Sequence, residues 1–173
     1  MTLRGTVRKA SKDIKTAIVG EQSSADTDIL DTLKEEHEEV KDLLAQLQDA
    51  EGAAERRALV KQIKEALVPH TKAEEKIVYD AVIALRDKDA QKDGYEGYLE
   101  HEWASKTLDR LAAANPTSPE HKAAAKVLKE LVEHHIEEEE SNVWDDVKEN
   151  FSDDDRIAMN RKFLAAKTKV RVP

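Results

Sequence analysis

No cysteine occurs among the 173 residues, which excludes disulfides, thiolate metal sites and cysteine nucleophiles. Any metal must then be held by imidazole and carboxylate, a donor set that selects iron, manganese or zinc over copper(I) or iron–sulfur clusters. Glycine (five), proline (four) and aromatic residues (4%) are also scarce, and no stretch alternates convincingly with period two, so long helices are expected rather than strands and turns. No apolar run approaches the ~20 residues needed to span a bilayer, and the N-terminus lacks the apolar segment of a secretory leader. The expectation is a cytoplasmic chain with no transmembrane segment. Basic residues are in deficit too. With 28 Lys and Arg against 37 Asp and Glu, the formal charge is −9, which argues against nucleic acid as a partner because a phosphate backbone calls for a basic surface. There is no glycine-rich phosphate loop and no identifiable Ser-His-Asp arrangement.

The length suits one domain with short extensions. Residues 1–27 form an N-terminal extension in which Leu3, Val7, Ala10, Ile14 and Ala17/Ile18 fall at helical spacing among Arg4, Arg8, Lys9, Lys12 and Lys15, the pattern of a basic amphipathic helix. Residues 28–150 then read as four helices. The first is capped by Thr27 or Asp28 and ends near Asp49, with a stripe of Leu30, Leu33, His37, Val40, Leu44 and Leu47. A second, from Ala53 to about Arg86, carries Leu59, Ile63, Leu67, His70, Glu74, Ile77 and Ala81 on one face, and Pro69 within it should bend the backbone just before His70. Asp87 to Gly94 reads as a polar loop. The third helix spans about Tyr95 to Ala114, with Tyr98, His101 and Leu108 inward. After Asn115-Pro116-Thr117-Ser118-Pro119, where Ser118 is a good N-cap and Pro119 a good first residue, a fourth helix runs to about Asn150. Residues 151–173 hold a short helix capped in the Ser152 to Asp155 stretch, followed by a basic tail. Short loops between four helices specify an all-α, up-down-up-down four-helix bundle.

Histidine interrupts the apolar stripe of every one of those helices. Two of the interruptions belong to an internal repeat. His70-x-x-x-Glu74-Glu75 and His135-x-x-x-Glu139-Glu140 match at an offset of 65, and residues 64–82 and 129–147 share eight identical positions. Glu36-His37-Glu38 and Glu100-His101-Glu102 correspond at an offset of 64, so the chain is one helical hairpin repeated. Spacing of four places each His and its Glu on one helix face, a turn apart, where both can reach the same ion. Taken together, His37, His70, Glu74, His101, His135 and Glu139 supply four imidazoles and two carboxylates to a bundle core. Burying that many ionisable groups is costly without a compensating ion. A pair of metals would supply it, with Glu74 and Glu139 as bridging candidates, or a single metal held by a subset. His134 and Glu138 are also four apart and form a rival pair, but the repeat sets His134 opposite Pro69 and so favours His135.

The pattern His, His-x-x-x-Glu, His, His-x-x-x-Glu on four helices resembles the hemerythrin-like, or HHE cation-binding, family over roughly residues 28–150. The resemblance implies a centre of two non-haem iron ions, oxo- or hydroxo-bridged, with zinc or manganese less favoured. It implies O2, H2O2 or NO as the small-molecule ligand, in oxidative or nitrosative stress response or oxygen sensing, and it admits a peroxide-decomposing activity with an unnamed electron donor or signalling partner. Iron storage without catalysis and a structural zinc-filled bundle are the alternatives. Oxygen-carrying hemerythrins have a His-x-x-x-His pair on the third helix and an Asp on the fourth. Here Ser105 follows His101 by four and the fourth-helix carboxylate is Glu139, a departure that weighs against simple oxygen carriage.

Four further expectations concern neighbours of these residues. His121 should be exposed at the start of the fourth helix. The acidic runs Glu35-Glu36, Glu38-Glu39 and Glu137-Glu138 should be solvated faces. Tyr79 and Trp144, equivalent in the repeat, should serve packing; for Tyr98, one turn before His101, an approach to the site as hydrogen-bond donor or gate is the alternative to the favoured structural role.

Overall fold

The computed structural model describes residues 25–173, so the basic amphipathic pattern of the first 24 residues lies outside the described part. Among the described residues there is no strand, and no helix is long and apolar enough to cross a membrane. The helices are α1 (Ile29–Asp49), α2 (Ala53–Glu74), α3 (Asp80–Ile83), α4 (Lys88–Ala113), α5 (Pro119–Glu138), α6 (Trp144–Asn150) and α7 (Asp153–Lys167). Two π turns, Glu75–Tyr79 and Glu139–Val143, join α2 to α3 and α5 to α6. Helix α1 packs between α2 and α5, and α4 packs between the same two, so α1 and α4 lie across the ring of the bundle.

Side-chain caps account for most helix starts. Asp28 accepts from Leu30 N–H at 3.0 Å, and Ser118 accepts from His121 N–H with Pro119 just inside the helix. Ser152 and Asp155 form a reciprocal capping box at α7. Helix α4 begins about two turns before the position expected from its apolar stripe. Asp87 accepts from the amides of Asp89 and Ala90, and Ala90 is buried, so a single cap and one small apolar residue recruit what reads in sequence as a polar loop.

Gly94 and Gly97 lie inside α4 and serve close approach rather than a turn. A Cβ on Gly94 would come within 2.7 Å of Ile83, and one on Gly97 within 2.6 Å of the Tyr79 ring. Pro69 sits inside an unbroken α2, and the irregularity falls beyond it, at the π turn after Glu74. Proline is not its cause, because the second π turn occupies the equivalent place in a helix with no proline there. The second helix also stops at Ile83, short of the expected Arg86.

Two apolar clusters fill the bundle. One, towards the α1–α2 loop, includes Leu44, Ile63, Leu108, Leu111 and Leu128. The other, towards the chain's entry into α1, includes Ile29, Leu33, Val78, Tyr79, Val82, Trp144 and Phe163. The six polar residues form a layer between them. At the first end, Arg56 ties the two hairpins by donating to the carbonyls of Ala50 (2.9 and 2.7 Å) and Pro116 (2.7 Å). At the other, α7 packs on α1 and α2, held by Arg156 to the Asp28 carboxylate at 2.7 Å and Asn160 to the Thr27 carbonyl at 2.9 Å. The buried residues of α7 are Met159, Asn160 and Phe163, with Ile157 and Leu164 half-buried.

Gly97→Ala is expected to destabilise the protein by about 1–3 kcal/mol through overpacking against Tyr79, outweighing the gain of about 1 kcal/mol in helix propensity. Urea denaturation measures the difference, and equal or greater stability in the variant would contradict the close fit.

Candidate metal centre

All six residues singled out by the repeat come together in the polar layer, each buried. Glu74 Oε2 lies 3.2 Å from His70 Nε2 and 3.5 Å from His101 Nε2. Its repeat partner Glu139 places Oε2 3.3 Å from His135 Nε2 and 3.5 Å from His37 Nε2. Each carboxylate therefore faces one imidazole from each hairpin. The rings themselves pair within each hairpin, His37 with His70 at 5.1 Å between centroids and His101 with His135 at 4.6 Å. His134, by contrast, is exposed, 3.5 Å from Glu138 and 3.9 Å from Glu100.

The outer nitrogen of every inward ring meets a second carboxylate. His70 Nδ1 is 2.9 Å from Glu36, His135 Nδ1 2.7 Å from Glu100, and His37 Nδ1 3.0 Å from Glu140. Glu75 Oε1 stands 3.4 Å from His101 Nδ1, too loosely aligned for a hydrogen bond. These contacts obey the same approximate two-fold, since Glu36 and Glu100 precede the histidines of the first and third helices and reach those of the second and fourth, while Glu75 and Glu140 follow the histidines of the second and fourth and reach those of the third and first. A carboxylate can only accept, so each of these Nδ1 atoms carries its proton, and the inward Nε2 is the nitrogen left to donate when the ring is charged or to bind an ion when it is neutral. Glu36 is thus not a freely solvated acid. The signal for all four was present in the repeat, as Glu beside His in the first and third helices and as Glu-Glu in the second and fourth.

The inner atoms are short of partners. His37 Nε2, Glu74 Oε1 and both oxygens of Glu139 are buried without a hydrogen bond, at a cost of about 1–3 kcal/mol each. His101 and His135 bring their Nε2 atoms to 3.0 Å, where two lone pairs repel unless a proton or a cation lies between them. Three-residue clusters able to hold an ion are His37/His70/Glu74 and Glu74/His101/His135. A third, Glu100/His134/Glu138, is half-exposed and shares Glu100 with His135. The donor chemistry of the buried pair fits cations favoured by imidazole and carboxylate.

Protonation follows the same two-fold. Burial works against charge on His70 and His135, but Glu74 and Glu36 overcome it for the first and Glu100 and Glu139 for the second, raising both to about 10. Burial drives His37 down to about 3, only partly opposed by Glu139, and burial together with His135 and His70 drives His101 well below its ordinary value. Glu139 is pushed up by burial and by the Glu74 charge, while Glu74 is held down because His70 outweighs its burial.

Tyr79 and His121 are placed differently from the expectation, and Tyr98 does not take up its alternative at the site. Tyr98 turns away from the site, its one hydroxyl proton shared between the Glu75 carbonyl at 2.9 Å and the Asp80 carboxylate at 2.8 Å. Tyr79 enters instead, fully buried, its hydroxyl 3.4 Å from Glu74, His101 and His135. The π turn accounts for this. Asp80 N–H bonds back to the Glu75 carbonyl, and the extra residue in the turn swings the fifth position after Glu74 back towards the face that an α-helix would carry it away from. His121 is buried, because Arg56 and the α1 end close over the start of α5.

In the metal-free protein, His70 and His135 contribute stability fully present below the unfolded histidine value of about 6.5 and lost as pH rises towards their folded values. The melting temperature of chelator-treated protein is therefore expected to fall between pH 7 and 10. A flat or rising profile there would contradict the charged state of these rings.

Comparison with known proteins agrees with the geometry. A family model described as the hemerythrin HHE cation binding domain matches residues 28–144. A protein named DNA nickase, from Nostoc sp. (strain PCC 7120 / SAG 25.82 / UTEX 2576), is 27% identical over 158 residues, covering 91% of this chain. The chain spans 44% of that relative's length. No solved structure gives a significant match. The chain belongs to the hemerythrin HHE cation-binding domain family, and its buried clusters of His and Glu fit the metal site that such a domain implies.

Proposed function

We propose that this is a non-haem di-iron protein that binds or reacts with O2, peroxide or NO in a stress response or in sensing, with His37, His70, Glu74, His101, His135 and Glu139 holding the ions. The observation that carries this reading is the position of the two carboxylates, each between imidazoles of different ring pairs. Two ring pairs joined by two carboxylates suit a pair of ions better than one. Bound iron would supply an open coordination position and the electrons exchanged with the small molecule.

The chain's own part is to orient and to seal. Glu36, Glu100 and Glu140 hold the outer nitrogens and so fix which ring atoms face inward, the second tier of contacts that tunes affinity in metal sites. A small cavity against the ring faces is walled by Val40, Leu67, Ala104, Val132 and Ile136. A second opening beside Tyr79 and Gly97, lined by Asp93, Glu96, Glu100 and Glu138, reaches His135 and Glu139 from the surface.

Iron storage without catalysis and a zinc-filled bundle compete with this reading, and metal content separates them. Protein produced in iron-replete medium is expected to hold about two irons per chain with redox-sensitive absorption. Stoichiometric zinc under those conditions, with no redox-sensitive bands, would overturn the proposal. Glu100→Gln is expected to weaken iron binding by about 10–100-fold, read by competition with a chelator, and an unchanged affinity would remove Glu100 from the site. If the protein clears peroxide, His101→Ala should abolish that activity; equal rates in both would place it elsewhere. The DNA-directed role named for the Nostoc relative is not extended to this chain, whose formal charge of −9 opposes a polyphosphate partner.

A further inference from the structure

The two-fold that relates the hairpins fails beside the site. At the repeat offset Tyr79 answers Trp144, and Gly97 answers Leu33. The Trp144 indole stacks on His37, with centroids 6.1 Å apart and planes 15° from parallel, and offers that half of the site no lone pair. Tyr79 does something else. Its oxygen enters the other half, 3.4 Å from Glu74 Oε2, 3.4 Å from His101 Nε2 and 3.4 Å from His135 Nε2. Gly97 admits it, since a Cβ there would meet the phenol ring at 2.6 Å and its oxygen at 3.0 Å. The matching position on α1 carries the fully buried Leu33.

Three equal contacts at this distance make a poor hydrogen-bond arrangement. A hydroxyl donor prefers about 2.5–3.0 Å to an oxygen and has one proton to give. The same spacing is natural for atoms that share a cation. Donors each about 2.0–2.2 Å from one ion stand roughly 2.8–3.6 Å apart at octahedral to tetrahedral angles. The 3.0 Å between His101 and His135 and the 3.5 Å between Glu74 and His101 fall in that interval too.

We propose that Tyr79 is a metal ligand, giving its phenolate oxygen to the ion held by Glu74, His101 and His135, so that the two metal positions are chemically inequivalent. The inference rests on the di-iron reading. The phenol proton leaves to solvent as the ion binds, as it does for other acidic ligands. An anionic oxygen at one position only favours the trivalent state there, and the two ions would differ in how readily they are reduced.

The full chain, loaded with ferrous iron and oxidised, provides the test. A phenolate-to-iron(III) charge-transfer band is expected in the visible range, with phenolate ring modes enhanced in the Raman spectrum excited within it. The chain has three tyrosines, so the double variant Tyr95→Phe/Tyr98→Phe leaves Tyr79 as the sole phenol and should keep the band in full. Tyr79→Phe, which preserves the ring that fills the core, should lose it, whereas Trp144→Phe should retain it. Iron is counted in every sample. A fully loaded wild type or double variant without the band overturns the proposal and leaves the di-iron reading standing, as does a band that survives in Tyr79→Phe. A wild type that takes up no iron sinks both.

Discussion

The structure depends on one buried layer of charge. Four imidazoles and two carboxylates lie between two apolar clusters, where water cannot solvate them, so every polar atom must find a partner in the protein or an ion. The outer nitrogens find theirs in Glu36, Glu100 and Glu140, while the inner atoms of His37, Glu74 and Glu139 do not. With three of the four outer nitrogens paired and only that of His101 without a hydrogen bond, the unsatisfied atoms gather on the inner side, unlike a structural polar network, in which both sides would be paired. The apolar clusters above and below keep it that way by holding the helices close and excluding water.

Backbone irregularity is confined to where this layer needs it. Both π turns begin at or directly after the inward glutamates, and both return the fifth residue towards the site, Tyr79 in one hairpin and Trp144 in the other. A regular helix would have turned those side chains elsewhere. The glycines of α4 act in the same service. Gly97 removes the one side chain that would exclude the Tyr79 ring, and Gly94 lets Ile83 pack directly on the helix backbone.

A duplicated hairpin makes a nearly symmetric site, and symmetry tends to make two metal positions alike. Here the first tier of candidate donors and the carboxylates behind them respect the two-fold closely, whereas the aromatic residues do not. Phenol on one side and indole on the other give the halves different polarity and different access, since the acidic opening runs past Tyr79 and Gly97.

Much of this was legible in the chain itself. Scarce glycine, proline and aromatics with apolar residues at helical spacing specify a helical bundle, because periodicity directly reports which face is buried. The His-x-x-x-Glu repeat picked out the inward residues and separated His135 from His134, because a duplicated pattern samples the same constraint twice. Local spacing could not tell which outward acids return to a neighbouring helix, so Glu36 read as solvated although its partner, His70, lies on α2. Nor could it foresee the π turns, which one added residue creates and which brought Tyr79, expected only to pack, to the site. Helix α4 began early because Asp87 captured amides that composition assigned to a loop, and His121 was buried by Arg56 from another hairpin. Those outcomes were decided by contacts between segments far apart in sequence, which no periodicity within one segment records.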